Sequence, residues 1–161
     1  MNRITNLQKI MAEKHVPLIA ITAGPDLYYL TGLDFHISER PIILLVRQTG
    51  NPHLVHPELE SEKVKGCKFS LESYPYGEEK ESWINVCAKA LIGFNDKQAW
   101  IGVISTQIRY LEMELLHKAC PNFSFVPIDE IVQKLRQQKD ANELENIRKA
   151  IEIAEQAFKK T

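Results

Sequence analysis

Between Gly32 and Pro41 the chain carries Asp34, Phe35, His36, Glu39 and Arg40. A carboxylate, an aromatic ring, an imidazole and a guanidinium therefore fall within one short polar run. A guanidinium can fork onto a carboxylate, and an imidazole can give or take a proton near neutral pH. Loops on rigid α/β scaffolds often carry binding groups. Loops are also polar without any ligand, so the residues alone leave both readings open.

Elsewhere the chemistry thins out. His53 and His56 are the one close histidine pair. On a strand, their spacing puts them on opposite faces, so a chelate needs the chain to turn at Pro57. Glu58, Glu60 and Glu62 alternate with Lys63 and Lys65 nearby, which reads as a solvated helix face with local ion pairs. Cys67, Cys87 and Cys120 are far apart, odd in number and form no C-x-x-C pair. They read as buried free thiols rather than a zinc ribbon or a disulfide framework. No G-x-S-x-G, Walker loop, G-x-G-x-x-G or H-E-x-x-H occurs, so serine-hydrolase, nucleotide-binding and zincin chemistry lack their anchors. No catalytic residue and no metal ligand is assigned.

The 161 residues suit one domain, and 44% are hydrophobic and 25% charged. Such a chain buries roughly 70% of its unfolded surface. The formal charge of −1 offers no broad attraction to nucleic acid or an anionic membrane. The first residues lack a signal-peptide core, and the longest aliphatic run, from Ile42 to Val46, is far short of the roughly 20 residues a bilayer needs. A cytoplasmic location is expected.

Apolar periodicity supplies the elements that would hold the loop. Residues 2–14 read as an amphipathic helix broken by Pro17, 18–22 as a buried strand, 23–26 as a turn and 27–30 as a short helix stopped at Gly32. Residues 42–47 and 53–55 flank a turn and form a hairpin. A charged helix over 58–65 ends at Gly66, and 69–74 read as a strand. A helix carrying Trp83, Val86, Cys87, Ala90 and Leu91 follows, then a strand over 99–104. Ser105 is the expected N-cap of a helix bearing Ile108, Leu111, Leu115 and Leu116. A strand over 123–126 and a short helix from Ile128 to Leu135 close the pattern. Strands alternating with helices argue a three-layer α/β fold, and the early hairpin makes its sheet mixed.

The last helix is capped by Asp140, with Glu143 completing a capping box. Leu144, Ile147, Ile151, Ala154 and Phe158 then recur at spacings of three and four, one apolar stripe along the helix. No Gly, Asn or Pro ends it, which fits either a terminal helix that frays or one that continues into a longer protein.

Two segments resemble a known family. Gly24-Pro25-Asp26 with Tyr28-Tyr29-Leu30-Thr31-Gly32-Leu33 is similar to the Y-L-T-G-F signature near the start of prolidases and Xaa-Pro aminopeptidases. Residues 135–150, with Arg136, Lys139, Glu143, Leu144, Ile147, Arg148 and Ala150, resemble that family's junction R-x-x-K-x-x-x-E-[LI]-x-x-[IM]-R-x-A. The strand Ile101-Gly102-Val103 falls between them, as it does in the family. Leu33 replaces a commoner aromatic, and Asp140 stands where Ser or Thr is usual.

The resemblance implies a creatinase-like N-terminal domain over residues 1–135, with a mixed sheet flanked by helices in a ribonuclease H-like motif. Residues 136–161 would be the helix leading to an absent catalytic domain. The implied function is non-catalytic: dimerisation and substrate access in a metal-dependent Xaa-Pro aminopeptidase or dipeptidase that cleaves before proline. The implied cofactors, two divalent ions (Mn, Co or Zn), belong to the parent's catalytic domain. The implied partners are that domain, a second subunit and, in the full-length protein, a peptide. The resemblance also lets the loop reach the partner subunit's active site, with His36 and Arg40 contacting substrate and Phe35 forming an apolar wall. Competing readings are a freestanding α/β binding module, an independent enzyme built on Asp34, His36 and Arg40, and the N-terminal domain of a creatinase-like amidinohydrolase.

Overall fold

In the computed structural model, residues 3–93 and 100–160 are described. Helix α1 (Arg3–Glu13) leads to strand β1 (Leu18–Thr22) and helix α2 (Pro25–Thr31). The hairpin β2 (Ile43–Arg47) and β3 (His53–Pro57) follows, then a 3-10 turn (Glu58–Glu60) and α3 (Ser61–Lys65). Next come β4 (Glu72–Tyr76), α4 (Lys80–Ala90), β5 (Trp100–Val103), α5 (Tyr110–Ala119), β6 (Ser124–Pro127), α6 (Asp129–Gln137) and α7 (Ala141–Lys159).

The six strands form one sheet in the order β4-β3-β2-β1-β5-β6. β1 pairs antiparallel with β2, and β2 with β3, while β1–β5, β5–β6 and β3–β4 are parallel. The expected mixed sheet is therefore present: a ribonuclease H-like meander with two parallel strands on one side, extended by β4 on the other.

Both faces of β1 are buried. Ile19 and Ile21 join one core with Leu7 and Met11 of α1, Leu27 of α2, Val64 of α3, and Ile131 and Val132 of α6. Leu18 and Ala20 join the other with Trp83 and Cys87 of α4, and Leu115 and Leu116 of α5. This two-sided burial explains why β1 reads as a continuous apolar run rather than an alternation.

Several boundaries move, each for a local reason. α1 stops before Pro17, because His15 takes φ 55°. The Val16 N–H then reaches back to the Met11 carbonyl at 2.8 Å, and His15 N–H to Ala12. These paired bonds form a Schellman closure. α2 begins at Pro25 rather than after the expected turn, since proline suits a first helical position. It ends as expected at Gly32, whose φ of 73° favours glycine.

β4 starts at Glu72 rather than Phe69, since its register is set by parallel pairing with His53–Pro57. Pro75 is tolerated there because β4 is an edge strand. Ser105 does not cap α5, which begins at Tyr110 with Arg109 as its cap residue. The Ser105 and Thr106 amides donate instead to the Asp129 carboxylate, at 3.2 and 3.4 Å. That carboxylate at the start of α6 holds the segment as a turn. Ala99, assigned to the fifth strand from sequence, lies outside the described residues.

Candidate functional site

The loop after α2 is built by alternation and then pinned. Thr31 Oγ accepts from the Leu33 N–H at 3.0 Å, directing the chain out of the helix. Leu33 and Phe35 point into the core while Asp34, His36 and Ile37 face solvent. Phe35 is 4% exposed and packs in the chain's own core, with Lys63 Nζ 5.0 Å from its ring centre. As placed, it anchors the loop from beneath.

Two side chains, one half-buried and one buried, fix the far end. Arg109 donates through Nη1 to the Ser38 carbonyl at 2.6 Å, while its Nε and Nη2 grip Glu112. Glu112 is 1% exposed and also accepts from the Arg109 backbone N–H. Tyr76 donates its hydroxyl proton to the Pro41 carbonyl at 2.7 Å, and burial pushes that phenol far above its ordinary range. Ser38 Oγ accepts from the Arg40 N–H at 3.2 Å. Arg40 itself bonds Glu78 at 2.8 Å and lines a shallow cleft of about 240 Å³ with Pro57, Leu59 and Tyr76. His36 and Arg40 are thus held on a rigid base: one free at the surface, one paired with a carboxylate that a ligand would have to compete with.

A second cluster gathers around Tyr29. Arg3 donates to the Tyr29 carbonyl at 2.7 Å, lies 4.1 Å from its ring centre, and meets Glu143 and Asp140 at 3.1 and 3.4 Å. The Tyr29 hydroxyl donates to the Leu135 carbonyl at 3.2 Å. Arg136 meets the buried Asp26 at 2.7 Å, and Gln107 Nε2 donates to the same carboxylate. The expected capping box of α7 is present: Asp140 accepts from Glu143 N–H, and Glu143 accepts from Asp140 N–H, both at 2.9 Å. No residue of α7 is buried. Ile147, Ile151 and Phe158 of its stripe are 43%, 51% and 85% exposed.

The histidine pair has no site between its members. The His53 ring donates from Nδ1 to the Ala90 carbonyl at 2.8 Å and stacks near Tyr74. His56 is fully buried, donating from Nδ1 to the Pro57 carbonyl and accepting from Ser73 Oγ. Burial pushes its pKa down. Burial also pushes the Cys87 thiol up to about 12 and Cys120 to about 11, so neither is a thiolate near neutral pH. Among the described residues, no three His, Cys, Asp or Glu side chains are grouped to hold a metal ion. No helix among the described residues is long and apolar enough to cross a membrane.

A match to the creatinase/prolidase N-terminal domain covers residues 3–138. The chain belongs to that family. The dipeptidase-like protein YkvY of Bacillus subtilis is 26% identical over 96% of this chain. A peptidase of Staphylococcus saprophyticus, itself uncharacterized, is 30% identical over 86%. The chain spans only 42% and 37% of the lengths of those two relatives.

The same proportion recurs in solved structures of this fold. A dipeptidase from Pyrococcus horikoshii superposes with a TM-score of 0.85 at 23% identity, over 98% of this chain and 43% of that one. A prolidase from Thermococcus sibiricus gives 0.84 at 21% identity, again over 98% and 42%. The N-terminal domain of a Lactobacillus brevis Xaa-Pro dipeptidase gives 0.69 at 20% identity, over 82% of this chain and 98% of that domain.

The Asp26–Arg136 pair and the Arg109–Glu112 clamp were not assigned from sequence. Asp26 and Arg136 do lie in the two motif segments, and motif membership was their available signal. Arg109 and Glu112 carry none, because only the tertiary fold brings Ser38 to them.

Proposed function

We propose that this chain acts as the non-catalytic N-terminal domain of a metal-dependent Xaa-Pro dipeptidase or aminopeptidase. Its work there is to support dimerisation and substrate access in the cytoplasm. The observation that carries the reading is the extent of the match: nearly all of this chain aligns, but with only about two fifths of each peptidase relative. The capping box and Arg3 clamp fix the direction in which α7 leaves the sheet domain. In this reading α7 leads to a catalytic domain that holds two divalent ions (Mn, Co or Zn).

The anchored loop then serves as an access element for a neighbouring subunit. His36 is presented to solvent above the buried Phe35. Arg40 is held by Glu78, from which a substrate carboxylate could displace it.

The purified 161-residue chain, supplied with manganese or cobalt and an Xaa-Pro dipeptide, should release no proline; turnover by it alone would refute the non-catalytic role. In a longer gene product with a peptidase domain, His36→Ala and Arg40→Ala should each raise KM or lower kcat. Unchanged kinetics in both would remove the loop from the reaction.

A further inference from the structure

His56 and Ser73 form a pair that the peptidase reading leaves unused. His56 is fully buried on β3, while Ser73 is exposed on β4, the edge strand of the sheet. The two strands pair in parallel, with Leu54 beside Ser73 and His56 beside Pro75. Alternation along the strands then puts His56, Leu54 and Ser73 on one face. Leu54 shares a core there with Val64 of α3.

The proton arrangement of the His56 ring follows from its partners. Nδ1 lies 2.8 Å from the Pro57 carbonyl, which can only accept, so Nδ1 carries the hydrogen. In the neutral ring Nε2 is left as an acceptor, and the Ser73 hydroxyl donates to it at 2.7 Å. Burial pushes the His56 pKa down, so the ring is neutral near pH 7. A serine bonded to a neutral imidazole, itself oriented by a third group, is the arrangement that activates a hydroxyl for attack. The Pro57 carbonyl and the Glu60 carboxylate both favour the protonated ring. That is the form the ring adopts when it takes the serine proton.

Beside Ser73 lies a cleft of about 380 Å³, with an apolar lining from Val64, Phe69 and Leu71. Ser73 itself lines it. A short apolar acyl group seated there brings its carbonyl carbon to the hydroxyl.

We propose that Ser73 is an acyl-acceptor site that takes a short acyl group from an activated ester, with His56 as general base. Ser73 Oγ bonds to the acyl carbon while its proton moves to His56 Nε2. The bond from that carbon to the ester oxygen breaks, and the leaving alcohol or phenol departs with the proton. Ester and serine become alcohol and serine ester, with no change of oxidation state. The transfer concerns activated esters and not peptides, so it is independent of the peptidase reading.

The test uses para-nitrophenyl acetate and the 161-residue chain carrying Cys67→Ala, which removes the partly exposed thiol lining the same cleft. Release of para-nitrophenol should begin with a burst of one equivalent. Peptide mass spectrometry should find one acetyl group on Ser73. Ser61 and Ser70 line the same cleft and meet the same reagent. Ser73 should be labelled about a hundredfold faster than either, the contribution of a positioned base. Ser73→Ala should abolish the burst, and His56→Gln should slow labelling of Ser73 about a hundredfold. A label on lysines alone overturns the proposal. So does a Ser73 rate within about tenfold of Ser61 and Ser70, or a loss smaller than about tenfold in a folded His56→Gln chain. The comparison among the serines is made within one folded chain, so it decides the matter even where His56→Gln does not fold.

Discussion

Arg136 Nη1 lies 2.7 Å from Asp26 Oδ1, joining two segments 110 residues apart in sequence. The carboxylate sits at the start of α2 and is 4% exposed. Its other oxygen accepts from Gln107 Nε2 at 2.5 Å. One buried acidic group thus ties α2, the turn before α5, and the last residues of α6.

The tie makes a first prediction. Arg136→Leu strands a buried carboxylate and should cost about 2 kcal/mol in urea unfolding, less than a fully buried pair because the guanidinium is half exposed. Asp26→Asn combined with Arg136→Leu should cost less than the sum of the two single changes. Strict additivity would mean that the two groups do not interact.

Gly102 is tested by filling space. A Cβ there would stand 2.9 Å from Ile128 Cγ1 and 3.4 Å from Ile19 Cγ1. Gly102→Ala should destabilise the fold by about 1–3 kcal/mol through overpacking. In an Ile128→Ala background the same change should cost less, and an undiminished cost would put the strain elsewhere.

His15 offers a gain. It holds φ 55° at the end of α1, a conformation costing about 1–2 kcal/mol for a residue with a Cβ. His15→Gly should therefore raise the midpoint of thermal unfolding, by about 1 kcal/mol in stability. A fall in midpoint would mean that the imidazole makes a contact worth more than the strain.

Acid sensitivity should centre on His56. Burial lowers its pKa from the ordinary 6.5. Below 6.5 the unfolded chain takes up a proton that the folded chain still refuses, so stability falls as pH falls through that window. Above it, His56 contributes no slope. Asp129 is also shifted: burial pushes its pKa up, and the Ser105 and Thr106 donors more than reverse that. Its window therefore opens only below 3.8. His56→Gln should flatten the stability profile just below pH 6.5; an unchanged slope would assign it to another group.

Much of the fold is legible in the residues. The apolar run Leu18–Thr22 matches β1 residue for residue, because burial on both sides leaves no polar position to blur the ends. The Asp140–Glu143 box is equally local, since a cap is satisfied within four residues. Ser105 misleads for the opposite reason. A serine before an apolar stripe fits a cap, but Asp129, far along the chain, takes its amide. Phe35 is not legible locally either: within the run it stands in a polar loop, and only the folded chain shows it among the buried core residues.

By itself, the sequence determined the alternation of strands and helices, the mixed sheet, the cap and stripe of α7, and the kinship carried by two motif segments. These follow from periodicity, turn residues and short-range hydrogen bonds, which act over a few neighbours. The tertiary structure alone decided that Asp26 meets Arg136, that Arg109 and Tyr76 pin the 34–40 loop, and that Phe35 is buried beneath it. Each depends on groups distant in sequence meeting in the folded chain, where leaving a buried carboxylate or carbonyl unpaired is costly. No local pattern in the chain specifies those encounters.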